Sequence, residues 1–302
     1  GDVYKRQTFT FVATAEVIAL LGLTPVLVDV NEDSFLIDTG EIRKAITSKT
    51  KAIIPVHLFG QCANMEEIMK IAGEFNLKVI EDAAQSIGAN YYFKDGDSKK
   101  SGTIGEFGCT SFFPSKNLGC YGDGGALFTN DDALAEKARM IVNHGMKVRY
   151  YHDEIGVNSR LDSIQAVVLS VKLERLNEYC MAREKAASHY DESLKSIEEI
   201  TTPLRVTNSS HVFHQYTLRI KGVNRHEMQK YLMEKGIPAM IYYPVPLHQQ
   251  KAYRDDRYED GHFPIAEQLA TEVLSLPMHT ELSQEQLNYI TDSIKEFIKK
   301  IK

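Results

Sequence analysis

The stretch KAIIPVHLFGQCANMEEIMKIAGEFNLKVIED, residues 51–82, decides the architecture. Its ends, KAIIPVHLF and LKVIED, are short apolar runs of the kind found in strands buried on both faces. Between them, MEEIMKIAGEF reads as an amphipathic helix. Short apolar strands alternating with amphipathic helices signal a parallel sheet covered on both faces.

The alternation extends outward. Upstream, VATAEVIALLG reads as helix, TPVLVDV as strand and TGEIRKAIT as helix. Downstream, TSFFP and GALFTN read as short strands, and DDALAEKARMIVNHG as a helix opened by an Asp pair and closed by Gly145. NSRLDSIQAVVLSVKLERL begins a long helix, with Ser159 and Asp162 spaced as a capping box and Leu161, Ile164, Val168 and Val171 on one stripe. It is expected to run through the 180s and join two domains. Beyond it come a strand HVFHQYTLRI, a helix RHEMQKYLMEKG, a loop IYYPVPLHQQ, and a closing helix with Leu287, Ile290, Ile294, Phe297 and Ile301 on one face. The expectation is a large α/β domain over residues 1–190 and a smaller α+β domain over residues 191–302, without internal repeats. GDVYKRQ, residues 1–7, stands outside the pattern and reads as a foreign scar on a truncated chain.

Composition narrows the function classes. The 302 residues are 43% hydrophobic and 25% charged, which is ordinary globular composition. A net charge of −6 with intermixed signs supplies no basic face for phosphate backbones, so nucleic acid is not an expected partner. The longest apolar run, VIALLGLTPVLV, is broken by Gly22 and Pro25 and is shorter than the roughly 18 residues of a membrane helix. Cys62, Cys109, Cys120 and Cys180 show no paired spacing, which fits reduced thiols in a cytoplasm. There is no HExxH, and His211 and His214 would point to opposite faces of their strand, so no metal site is expected.

The chemistry gathers at two places. LKVIED ends in Glu81 and Asp82, where an open α/β sheet delivers functional groups. Such a pair reads equally as solvated loop acids or a helix cap. SFFPSKNLGCYGDGG, residues 111–125, sets Lys116 between aromatics and a glycine-dense loop. A buried amine there loses charge stabilisation and becomes a nucleophile towards carbonyls; an exposed one is a surface lysine. A Schiff-base lysine with an Asp for a pyridine nitrogen is the protein side of pyridoxal phosphate chemistry. Gly119, Gly122, Gly124 and Gly125 match neither the P-loop nor the dinucleotide fingerprint, and tight turns alone would account for them.

PVHLFGQ, VIEDAAQSIGA, GEFGCTSFFPSKNLGCYGDGGALFTND, NHG, GVNSRLDSIQA and YYPVPLH…SLPMH, in this order, resemble the DegT/DnrJ/EryC1/StrS family of nucleotide-sugar aminotransferases. The details are most similar to its UDP-2-acetamido-2-deoxy-3-oxo-glucuronate aminotransferases, and the match runs from Thr8 to the C-terminus. The resemblance implies fold type I, with a mixed, mostly parallel sheet, and pyridoxal 5'-phosphate as cofactor. It implies that Lys116 is the Schiff-base lysine, that Asp82 meets the pyridine nitrogen, and that Gln85 lies beside the ring's phenolic oxygen. By the same likeness Phe11 stacks on the ring and Ser111 holds the phosphate. Asn158 would reach in from a neighbouring subunit, which implies a homodimer with shared active sites. Tyr243 matches a position lining the sugar site, with His248 as companion, although Tyr243 could equally pack beside Pro244. Arg160 is suited to pairing with a hexuronate carboxylate, and equally to a structural ion pair.

Relatives carry a helical segment, an early strand and a Gly-Thr turn ahead of TFTF, so the resemblance marks this chain as an N-terminally truncated copy. The implied reaction moves an amino group from glutamate to a keto sugar nucleotide, for surface polysaccharide such as O-antigen. Another keto sugar nucleotide, or a pyridoxal phosphate-binding regulatory or structural role with lapsed catalysis, remains open. Dehydratase relatives replace the lysine that Lys116 retains.

Overall fold

The computed structural model describes residues 3–302. Its first half contains β1 (Val3–Gln7), α1 (Ala13–Leu20), β2 (Thr24–Val28), α2 (Thr39–Ala45), β3 (Thr50–Ile53), α3 (Met65–Phe75) and β4 (Lys78–Asp82). A hairpin of β5 (Asn90–Tyr92) and β6 (Ser98–Lys100) follows, then β7 (Phe107–Ser111) and β8 (Gly125–Phe128). Six strands form one sheet in the order β2-β1-β3-β4-β7-β8. Every pairing is parallel except β7 with β8. The sheet is therefore mixed and mostly parallel, as the family resemblance implies, with the antiparallel β7–β8 pair departing from the all-parallel sheet that the alternation signals.

The helix over 65–75 shows why the local sequence works. The Asn64 side chain caps it, accepting from the Glu67 amide at 3.4 Å, and Asn76 ends it in the left-handed conformation at φ 51°. Met65, Ile68 and Ile71 pack with Ile53 and Val79 of the strands. That burial, not intrinsic propensity, holds so short a helix.

One expectation is overturned at the start of the chain. Gly1 and Asp2 lie outside the described residues, but Val3–Gln7 belong to the sheet and pair with β2 on one side and β3 on the other. The strand pattern passed over these residues because a doubly buried strand is normally apolar. Here Lys5, Arg6 and Gln7 are buried instead. Burial, and then the Arg257 charge, push the Lys5 amine down to about 8. Arg6 keeps contact with the carbonyls of Phe11 and Val12 at 3.3 and 3.5 Å, which braces the loop leaving β1.

The remaining elements are α4 (Asp132–Ile141), the small hairpin β9 (Met146–Val148) and β10 (Tyr151–His152), α5 (Ser163–Leu173) and α6 (Leu176–Leu194). After these come β11 (Ile200–Thr201), β12 (Tyr216–Ile220), α7 (Arg225–Glu234), α8 (Pro264–Glu272), β13 (Val273–Leu276) and α9 (Gln284–Ile301). The antiparallel sheet β11-β12-β13 packs against α6, α7 and α9 around Tyr190, Leu218, Met228, Leu274, Ile290 and Ile294.

Three local readings change. The long helix is two helices, interrupted where Arg175 leaves helical geometry at φ −103°, ψ 5°. Asp162 alone caps α5, through the Ile164 amide at 2.8 Å, and Ser159 takes no part. The strand expected over HVFHQYTLRI starts only at Tyr216, because Phe213 at φ 44° turns the chain just before it. Periodicity does not register a single left-handed residue.

Candidate active site

Strand alternation divides the Glu81–Asp82 pair between two jobs. Glu81 is fully buried and accepts from His57 Nε2 at 2.9 Å and from the amides of Gly102, Ile104 and Gly105 at 2.9, 2.6 and 2.7 Å. Burial alone would raise its pKa; the His57 imidazole and those amides outweigh that and hold it below the usual carboxylate value. Glu81 is thus a structural anchor for the loop before β7. Asp82 points the other way, at the carboxyl end of β4. Its Oδ1 accepts from the Ala84 amide at 3.1 Å and its Oδ2 from the Thr14 hydroxyl.

Around Asp82 lies a ring of polar and aromatic groups. Gln85 Oε1 accepts from the Phe59 amide at 2.6 Å, which turns its Nε2 to donate to the Tyr243 hydroxyl at 3.1 Å. Tyr243 stands among Phe9, Phe11 and Phe59, with ring centroids 6.2, 6.2 and 6.5 Å away. Burial pushes its phenol well above the ordinary value. Phe11, 57% exposed, forms the open rim of this wall.

Lys116 follows β7 on the loop after Phe112, Phe113 and Pro114. Burial lowers its pKa and the Asp82 charge pulls the other way, which puts the amine within Asp82's field. Among the described residues nothing hydrogen-bonds or ion-pairs that amine. A partly buried amine in the field of a carboxylate has the surroundings a nucleophile needs. Gly119 serves the chain itself: a Cβ there would collide with the Pro114 carbonyl, so the loop beneath Lys116 cannot close around a larger residue. Among the described residues Ser111, at the carboxyl end of β7, accepts only from the Phe113 amide, at 3.3 Å.

The predicted residues thus fall into two groups. Asp82, Gln85, Tyr243, Phe11, Ser111 and Lys116 share one edge of the sheet. Asn158 and Arg160 lie apart and exposed. Arg160 Nε donates to Asn158 Oδ1 at 3.1 Å and its Nη1 to Asn143 Oδ1 at 3.3 Å. Among the described residues no hydrogen bond joins either to the first group. His248 is placed differently from a substrate ligand. It is buried, with Nδ1 against the Thr8 hydroxyl at 2.9 Å and Nε2 against Glu267 at 3.1 Å, so both nitrogens are engaged inside the protein. Sequence reading missed Thr14, although it lies within the TFTFVAT motif; only helix α1 reveals that its hydroxyl turns onto Asp82.

A metal centre finds no support in this arrangement: among the described residues no cluster of three His, Cys, Asp or Glu side chains could hold an ion. An aldehyde-bearing pyridine cofactor does fit, on the observation of an unpartnered desolvated amine opposite a half-buried carboxylate.

Comparison with known proteins gives the family. The profile of the DegT/DnrJ/EryC1/StrS aminotransferase family matches residues 6–295. A Geobacillus stearothermophilus protein named a pleiotropic regulatory protein is 49% identical over 98% of this chain and 78% of its own. The UDP-2-acetamido-2-deoxy-3-oxo-D-glucuronate aminotransferase of Pseudomonas aeruginosa is 47% identical over 96% of this chain and 78% of its own. The crystal structure of a DegT DnrJ EryC1 StrS aminotransferase from Brucella abortus superposes with a TM-score of 0.92 at 41% identity, over 98% of this chain and 79% of that one. With the family profile matched over residues 6–295 and relatives 47 and 49% identical over nearly all of it, this chain belongs to the DegT/DnrJ/EryC1/StrS aminotransferase family.

Proposed function

We propose that the chain is a pyridoxal phosphate-dependent aminotransferase that carries an amino group from glutamate to UDP-2-acetamido-2-deoxy-3-oxo-glucuronate, in surface polysaccharide synthesis. The observation that carries this reading is the desolvated, partnerless amine of Lys116 in the field of Asp82. Its substrate half leans on the 47% identical relative that bears that activity in its name.

Each residue has a task. The bound cofactor would supply a carbonyl for amine exchange and a ring that accepts electrons. Lys116 Nζ would hold the cofactor at that carbonyl and, when released, would serve as the base that carries a proton within the site. Asp82, fixed by Thr14 and the Ala84 amide, presents a carboxylate that keeps the pyridine nitrogen protonated. Gln85, oriented by Phe59, offers its amide beside the ring, while Phe11 and Tyr243 wall the site against water. Ser111 is assigned to the phosphate. His248 positions Thr8 and the loop behind Tyr243 without touching substrate. We place the boundary between the large and small domains near residue 190, within α6.

Asn158 and Arg160 enter this proposal through a second copy. On α5, Ile164, Val167 and Val171 are 72, 66 and 65% exposed, an apolar stripe that a homodimer would bury. Light scattering should give twice the 34.1 kDa chain mass; full turnover by a strict monomer would remove the shared-site arrangement.

Arg160→Leu tests the uronate. With glutamate as donor and the amino sugar followed by mass spectrometry, the variant should lose roughly 10- to 100-fold in kcat/KM for the uronate substrate and little for a UDP-keto sugar lacking the carboxylate. Equal losses on both would remove Arg160 from substrate recognition and favour another keto sugar nucleotide. A regulatory reading has one observation behind it, the name of the 49% identical relative. Binding of pyridoxal phosphate with no conversion by glutamate would favour it.

A further inference from the structure

The glycine-dense loop after Lys116 has little stiffness of its own. Glycine leaves the backbone free, so whatever fixes the course of this loop must come from outside it. Two side chains of α5 do so. Gln165 Oε1 accepts from the Tyr121 amide at 2.7 Å, and the Lys172 ammonium donates to the Gly119 carbonyl. Among the described residues Lys172 has no carboxylate partner; its charge faces that carbonyl and the Tyr121 ring, whose centroid is 5.9 Å away.

Helix periodicity makes this one face. Gln165, Leu169 and Lys172 recur at the i, i+4 and i+7 spacing of a single side of α5. Leu169, between the two polar grips, is buried with Phe112, Leu118 and Cys120 of the loop. Ile164, Val167 and Val171 form the exposed stripe on the other side. The grip reaches Lys116 through short links. Gly119 sits so close to the turn carrying the lysine that a Cβ on it would stand 2.8 Å from the Phe113 carbonyl oxygen. That carbonyl accepts from the Lys116 amide at 2.9 Å. The loop is closed by the Cys120 amide on the Phe112 carbonyl and the Phe112 amide on the Gly124 carbonyl, both at 2.8 Å. Moving Gly119 therefore moves the turn that bears Lys116.

We propose that Gln165 and Lys172 are positioning residues for Lys116: from one face of α5 they hold Gly119 and Tyr121, and with them the turn from Phe113 to Lys116, so that the amine is presented towards Asp82 from a fixed base. Among the described residues neither side chain bonds to the amine itself. They remove from the glycine loop a freedom that would otherwise spread the amine over many positions, and a reaction that needs one position is slowed by that spread.

The inference rests on the assignment of Lys116 as the reactive lysine, and the test keeps the two apart. Lys172→Met and Gln165→Met keep the length of each side chain and remove its grip; Lys172→Arg keeps a donor and Gln165→Glu an acceptor. The full chain is mixed with pyridoxal phosphate and quenched with borohydride at successive times, and the phosphopyridoxyl group on Lys116 is followed by peptide mass spectrometry. Lys172→Met and Gln165→Met should each be modified at Lys116 about ten- to a hundredfold more slowly than the wild type. Lys172→Arg and Gln165→Glu should regain most of the rate. Unchanged rates in the two methionine substitutions, or equal losses in both members of a pair, would overturn the proposal.

Two measurements need no cofactor. Hydrogen exchange in the peptide holding Tyr121 should quicken by about three- to tenfold in Gln165→Met, the scale of one hydrogen bond. Competitive acetylation with trace acetic anhydride should place the Lys116 midpoint at higher pH in Lys172→Met, because a loosened amine is better solvated. Faster exchange with Lys116 unaltered in both capture and acetylation would reduce the clasp to packing and overturn the proposal. Light scattering should give the wild-type mass for every variant, since the exposed stripe is untouched; slow capture accompanied by a change in mass would assign these residues to assembly instead. A failure of the cofactor assignment looks different: the wild type takes no pyridoxal phosphate at Lys116 while the exchange and acetylation results stand.

Discussion

Lys116→Ala is expected to abolish amino transfer, with a loss of roughly 10^4-fold or more in kcat, because nucleophile and proton carrier are one group. The fold should survive. The amine makes no hydrogen bond or ion pair among the described residues, and desolvation lowers its pKa, so burying it as a cation disfavours the folded state. The sign follows from linkage: a lysine with a depressed folded pKa weighs against folding below that pKa, and the penalty fades as pH rises towards the unfolded value. Lys116→Ala should therefore equal or exceed the wild type in melting temperature at neutral pH while losing turnover. Retained transamination, or a collapse in stability, would contradict the role given to this residue.

Asp82→Asn should lower kcat by roughly a thousandfold, the scale of removing one preorganised electrostatic group from a dry site. Asparagine is nearly isosteric, and its carbonyl oxygen can still accept from either the Ala84 amide or the Thr14 hydroxyl. The negative charge is what disappears. Two consequences separate this from a packing defect. The Lys116 amine, no longer favoured as a cation by Asp82, should become free at lower pH. Thr14→Val, which strips one hydrogen bond but leaves the charge, should cost much less. Matching losses in Asp82→Asn and Thr14→Val would mean that orientation, not charge, is what Asp82 supplies.

Much of this was legible in the chain, and the exceptions have physical causes. The run from Leu77 to Asp82 reads as a strand because buried parallel strands are apolar, and it is one. β1 did not read as a strand because Lys5 and Arg6 occupy a place where that rule expects Val or Ile. Residues 111–125 pointed to Lys116 because an amine among aromatics and glycines is chemically unusual. The glycine at 119 proved to serve the loop's own closure. Residue chemistry alone did not separate Glu81 from Asp82, which the resemblance singled out; the pleat turns Glu81 to the loop amides and Asp82 to the open edge. Thr14 was invisible as a site residue because its position depends on tertiary packing, through α1.

The most direct test is to incubate the chain with pyridoxal phosphate, reduce with borohydride, and map the modified peptide by mass spectrometry beside Lys116→Ala. A phosphopyridoxyl group on Lys116, absent from the variant, is the predicted result. Modification scattered over surface lysines, or an equal amount in Lys116→Ala, would contradict the assignment of this amine as the one that holds the cofactor.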